Sequence, residues 1–314
     1  MTFDVEGLPP REDFFDNYSF MCVHKTLDLL EEKGLRGIFF FTGFGAEQIR
    51  EHQDLVERLS FHEIGYHSSS HSGESGIIEY TDVPSYEEAV NISLQRETSH
   101  VNPETGEIEG KGGIWALRET FPKNDVVCFR APFLAWSPPH LEALKKLGIM
   151  FDLSSIISED PVSFRGIVFY PCSIPIDSAI RTFVYKGPED SFPKPILNAM
   201  LRRKVTVFAM HPQALVVKNL YAGRDKYSIG GNVRTKFIFS LLKLLFDRIC
   251  FLQKSNLIEV TPLLSQNWQF LRLESIDVEK IYWRSVQHVM RLFNSNPRFV
   301  LSHFMHFFGQ SEGK

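Results

Sequence analysis

Eight short runs rich in β-branched and aromatic residues, separated by amphipathic stretches, constrain this chain more than any other feature. That alternation is what repeated βα units around a parallel sheet require. The runs are Met1 to Asp4, Gly37 to Thr42, Glu63 to His67, Val126 to Arg130, Ile149 to Leu153, Ile167 to Tyr170, Val205 to Met210 and Leu257 to Val260. Between them, Tyr18 to Lys33, Ala46 to Leu59, Ser85 to Ser99, Ser137 to Leu147 and Arg234 to Leu252 read as helices, with Gly34 and Gly148 as stop signals. Asn102 to Gly113 reads as a surface loop or hairpin. The expected fold class is α/β: a distorted (β/α) barrel of seven to eight mostly parallel strands over residues 1–265. A C-terminal helical extension, 266–314, contains Val278 to Phe293 as a further helix and is expected to pack on the barrel or on a partner.

Composition narrows the partners. A net charge of -4 offers no basic field for a phosphate backbone, so nucleic acid is excluded as the expected ligand. No stretch approaches the roughly 18 uninterrupted apolar residues of a transmembrane segment. Met1 to Glu6 has neither a basic nor an apolar leader character, so a cytoplasmic location is expected; almost nothing precedes Asp4 on the first strand, which fits a shortened chain or a misplaced start. Cys22, Cys128, Cys172 and Cys250 form no C-x-x-C pair and read as reduced core residues.

In α/β barrels the catalytic groups come from the C-terminal ends of several strands, and here those ends are uniformly polar. They carry Asp4-Val5-Glu6, His67-Ser68-Ser69-Ser70-His71, Arg130-Ala131-Pro132, Asp152-Leu153-Ser154 and His211-Pro212. His67 and His71, spaced i, i+4, can reach one ion from one face of a helical turn, although that pair alone occurs often on ordinary surfaces. A carboxylate from Asp4 or Glu6 as third ligand would leave coordination positions open, which is a catalytic and not a structural pattern. The second carboxylate is then available as general base, with Arg130 as its partner. His211 leaves a buried strand at the same mouth, where it could protonate a departing amine with Asp152 as the neighbour that steadies it. Taken singly, Arg130 reads as a surface ion pair and His211 as a core histidine; their convergence favours the functional reading.

Taken together and in order, these five motifs resemble those of the polysaccharide deacetylase family, also called NodB-homology or carbohydrate esterase family 4, over about residues 1 to 265. The resemblance implies a NodB-like barrel and metal-dependent removal of an N-acetyl group from an amino sugar or glycan intermediate. It implies Glu6, His67 and His71 as ligands of a divalent metal (Zn first, with Co, Ni or Mn as alternatives). Asp4, His211, Arg130 and Asp152 would carry the catalysis, and Pro132, Trp136 and Ser154 would line the substrate position. The first motif departs from the pattern: Val5 stands where most members carry a second aspartate, and Glu6 follows, so Asp4 and Glu6 could exchange roles. A cytoplasmic location would favour a small or lipid-linked sugar over a polymer, and a homo-oligomer is compatible with the apolar C-terminal segment. The competing expectations are an allantoinase-like hydrolase of a non-sugar amide and a non-catalytic glycan-binding member.

Overall fold

The computed structural model describes residues 1–6, 15–70, 85–102, 105–134, 136–155, 161–171, 174–186, 192–215, 232–261 and 263. In chain order the elements are β1 (Thr2–Val5), α1 (Phe15–Lys33), β2 (Ile38–Phe41), α2 (Gly43–Ile49), α3 (Gln53–Leu59), β3 (Glu63–Tyr66), α4 (Tyr86–Glu97), β4 (Ser99–Val101), β5 (Ile108–Lys111) and α5 (Ile114–Thr120). There follow β6 (Cys128–Phe129), α6 (Pro138–Lys146), β7 (Phe151–Ser155), β8 (Val162–Phe164), β9 (Ile167–Pro171), β10 (Ile174–Pro175), α7 (Ile176–Lys186), α8 (Lys194–Leu201), β11 (Phe208–Met210) and α9 (Asn232–Lys254).

Among the described residues nine strands form one sheet in the order β10-β11-β1-β2-β3-β6-β7-β9-β8, and only β8 runs antiparallel to its neighbour. The eight parallel strands make the curled half-barrel of the expected class. β1 and β2 are buried throughout, as parallel strands covered on both faces should be. Alternation divides β2 between two cores. Phe39 and Phe41 join the large cluster under the helices, where Phe39 stacks on Phe3 at 4.7 Å between ring centres, while Ile38 and Phe40 join a smaller one with Cys128, Leu153, Val168 and Tyr170.

Several helix ends follow from side-chain chemistry. The hydroxyls of Thr42, Ser85 and Ser137 accept from backbone amides in the first turns of α2, α4 and α6, and α1 ends at Gly34 with φ 63°. The expected helix from Ala46 to Leu59 is in fact two. The His52 amide turns back to the Ile49 carbonyl at 2.9 Å and Val56 restarts on His52, which breaks the apolar periodicity into α2 and α3. The expected strand Leu257 to Val260 is not a strand. The Leu257 amide closes α9 by donating to the Leu252 carbonyl at 3.0 Å, and Leu257 itself is exposed. Asn102 to Gly113 contains β5, which pairs antiparallel with β4 just before the segment. Cys22 and Cys128 are buried free thiols and Cys250 a partly buried one; Cys172 and the extension 266–314 lie outside the described residues. No described helix is long and apolar enough to cross a membrane.

Candidate active site

Parallel strands bring their C-terminal ends to one mouth, and adjacent β11, β1, β2, β3, β6 and β7 carry most of the polar groups found there. Arg130, one residue beyond β6, is 1% exposed and reaches across the sheet. Its Nη1 donates to Asp4 Oδ1 at 2.7 Å, its Nη2 to Thr2 Oγ1 at 2.7 Å, and its Nε to the Leu153 carbonyl at 3.2 Å. The guanidinium lies 4.7 Å from the centre of the Phe40 ring, so its flat face is covered as well. Thr2 passes the chain on by donating to the Phe208 carbonyl at 2.6 Å. The Asp4 carboxylate is thereby fixed through one oxygen, and Oδ2 is turned toward His211, 3.9 Å from its Nε2.

His67 follows β3 directly. Its Nδ1 lies 2.6 Å from the Arg130 carbonyl oxygen, which can only accept, so Nδ1 carries a proton and the lone pair of the uncharged ring would be at Nε2. Nε2 faces Glu6 Oε1 at 3.7 Å. The same Glu6 oxygen is 3.2 Å from His211 Nε2. His211 follows β11, and its Nδ1 is 2.9 Å from Asp177 Oδ2 in the first turn of α7.

Asp177 replaces Asp152 as the partner of His211. β10 is only two residues long, lies beside β11 and ends immediately before α7, which puts Asp177 next to the histidine. Asp152 sits on β7 and accepts instead from the Ser154 amide at 2.7 Å and from its hydroxyl at 3.3 Å. Burial pushes the Asp152 carboxyl up from 3.8 to about 7, against the opposing hydrogen bonds from Ser154 and the positive field of Arg130 and His140. The fold therefore favours the neutral acid. Its contribution to stability is full below about pH 4 and is lost as pH rises through about 7. Asp152→Asn, which keeps the neutral shape, should flatten the fall of Tm across that window, and a Tm profile parallel to that of the wild type would refute the assignment.

The residues expected to line the substrate are less open than the motif pattern implies. Ser154 is fully buried, and its hydroxyl accepts from the Ala131 amide at 2.7 Å. Trp136 is 2% exposed and packs 5.4 Å from the Phe169 ring; its indole N–H has no partner among the described residues. Pro132 is buried at the start of a single 3-10 turn.

The donor chemistry fits a divalent cation. Glu6 and His67 aim a carboxylate oxygen and an imidazole nitrogen at each other, and the Arg130 carbonyl holds the imidazole in the tautomer a metal needs. No three His, Cys, Asp or Glu side chains among the described residues are grouped to hold an ion by themselves, and His71 lies outside those residues.

The sequence model of the polysaccharide deacetylase family matches residues 14–151. This part of the chain is thus similar to the polysaccharide deacetylases. The match covers His67 and Arg130, while Asp4, Glu6, Asp177 and His211 lie on either side of it. Among the solved structures that share the fold of this chain are the following two. A Mycobacterium smegmatis protein assigned as a polysaccharide deacetylase aligns at TM-score 0.52 and 15% identity, covering 84% of this chain and 86% of its own. A 4-alpha-glucanotransferase from Thermococcus litoralis aligns at TM-score 0.51 and 14% identity, covering 86% of this chain and 40% of its own. A comparison with curated proteins finds no match.

Proposed function

We propose that this protein is a metal-dependent hydrolase that removes the N-acetyl group of an amino sugar, releasing acetate and the free amine. The observation that carries the reading is the meeting of four strand ends: Glu6 Oε1 lies 3.7 Å from His67 Nε2 and 3.2 Å from His211 Nε2, beside an Asp4 that Arg130 has oriented. Glu6 and His67 would hold the ion, with His71 four residues later in sequence as the further expected ligand. Once bound, such an ion supplies a Lewis acid for the acetyl carbonyl and makes water more acidic.

The chain's own groups divide the remaining work. Asp4, held through Oδ1, keeps Oδ2 available to take the proton from the attacking water. The Arg130 contact with Asp4 favours Asp4 as base and Glu6 as ligand. His211, with Nδ1 anchored on Asp177, keeps Nε2 in the mouth to give a proton to the leaving nitrogen as the C–N bond breaks. A small or lipid-linked N-acetyl sugar is the proposed substrate class, and the similarity of residues 14–151 to the polysaccharide deacetylases is what favours a sugar over another amide.

The test is acetate release from a panel of N-acetylated mono- and oligosaccharides, before and after dialysis against a chelator. Activity on at least one sugar, abolished by the chelator and restored by zinc, is expected. Turnover that persists without any metal would contradict the reading, as would the absence of acetate from every substrate in metal-replete protein.

A further inference from the structure

The turn that delivers His67 is held by a carboxylate for which the chemistry above has no use. Glu97, the last residue of α4, is completely buried. Its Oε2 accepts from the Tyr66 hydroxyl at 2.6 Å and the Ser69 amide at 3.1 Å; its Oε1 accepts from the Ser68 hydroxyl at 2.7 Å and lies 2.5 Å from His140 Nε2. The residues on either side of His67, Tyr66 and Ser68, thus both bond to one carboxylate. Successive side chains of a strand point to opposite sides, so anchoring Tyr66 leaves His67, which continues the ladder through its amide to the Phe41 carbonyl, on the side of Glu6, while the bonds to Ser68 and Ser69 fix the turn that follows.

Ser68 adopts φ 67°, a left-handed conformation that costs an L-residue about 1–2 kcal/mol and persists only where its surroundings enforce it. Glu97 supplies part of that enforcement. The amides of Gly43 and Phe44, donating to the Ser68 and Ser69 carbonyls at 3.0 and 3.1 Å, also hold the turn. A fully buried carboxylate is expensive unless every oxygen is satisfied, and an apolar residue would fill the same space at lower cost. The position of this one, astride a ligand, gives it a use: ligand side chains must be held to about 0.5 Å for a metal site to be preorganised.

We propose that Glu97 is a positioning residue for the metal site, acting through Tyr66 and Ser68 to aim Nε2 of His67. The inference rests on the metal-holding reading of His67 given above. The experiment is the zinc dissociation constant of the full chain, measured by competition with a chromogenic chelator. It compares wild type, Glu97→Gln and Leu55→Ala, the last being a buried core change on α3 that lowers stability without touching the turn. Glu97→Gln should weaken zinc binding about 10–100-fold, the usual cost of losing a group that orients a ligand, with Leu55→Ala close to wild type. Unchanged affinity in Glu97→Gln, or an equal loss in Leu55→Ala, would overturn the proposal. Absence of zinc from wild type would overturn the metal reading itself and this inference with it. If Glu97→Gln does not fold, Tyr66→Phe removes one arm of the staple and decides the question in the same assay, with weaker zinc binding expected and unchanged binding contradicting the proposal.

Discussion

His211→Ala should lower kcat for acetate release by roughly 10²–10⁴-fold, the usual contribution of a positioned proton donor, while leaving bound metal and Tm close to wild type. The expectation follows from where the ring is held. Its Nδ1 is tied to Asp177 at 2.9 Å, so the proton it can deliver sits on Nε2, which lies among Glu6 and Asp4 at the mouth. His211 is partly exposed, unlike the core histidine that its apolar strand would suggest, so its removal leaves no large cavity. Asp177→Asn should act in the same direction: an amide can hold the ring in either tautomer but cannot stabilise the protonated form, so kcat falls more than KM changes. Measuring kcat and KM for both variants on one sugar separates this role from substrate binding. A His211→Ala enzyme with wild-type kcat would remove the residue from the mechanism.

Arg130→Met should destabilise the fold by about 3–5 kcal/mol, because it strands a buried carboxylate that no other cation neutralises as directly. The loss is larger than one ion pair implies. The same guanidinium also satisfies Thr2 Oγ1 and the Leu153 carbonyl and lies over Phe40, so strands β1, β6, β7 and β2 meet on one side chain. A second substitution separates charge from packing. Arg130→Met combined with Asp4→Asn should recover part of the stability, since the buried charge is then gone, yet recover none of the activity. Chemical denaturation of the two variants checks this, and a single variant as stable as wild type would show that the pair carries no weight in the fold.

The sequence shows the strand ends because each is an apolar run stopped by ionisable residues, and a parallel sheet has to bring such stops to one side. Asp4, His67, Arg130 and His211 are visible for that reason. Asp177 is not, because it rides on a two-residue strand too short to register as a run; its signal is an acid placed just after Ile174-Pro175-Ile176. Glu97 gives no sequence signal of its kind at all. It looks like one more acid at the end of an amphipathic helix, and only the packing of α4 against α6, with His140 fully buried in the contact, turns it inward. The break between α2 and α3 and the non-strand at Leu257 to Val260 share one cause. Apolar periodicity is continuous through both places, and backbone hydrogen bonds at Ile49 and Leu252 override it.

The central claim, a metal site built on Glu6 and His67, is tested most directly by elemental analysis of protein purified without chelator, in wild type and in His67→Ala. The account predicts about one divalent ion per wild-type chain and almost none in the variant, with the two proteins equally folded. Wild-type chains without metal, or a variant that retains a full equivalent, would contradict it.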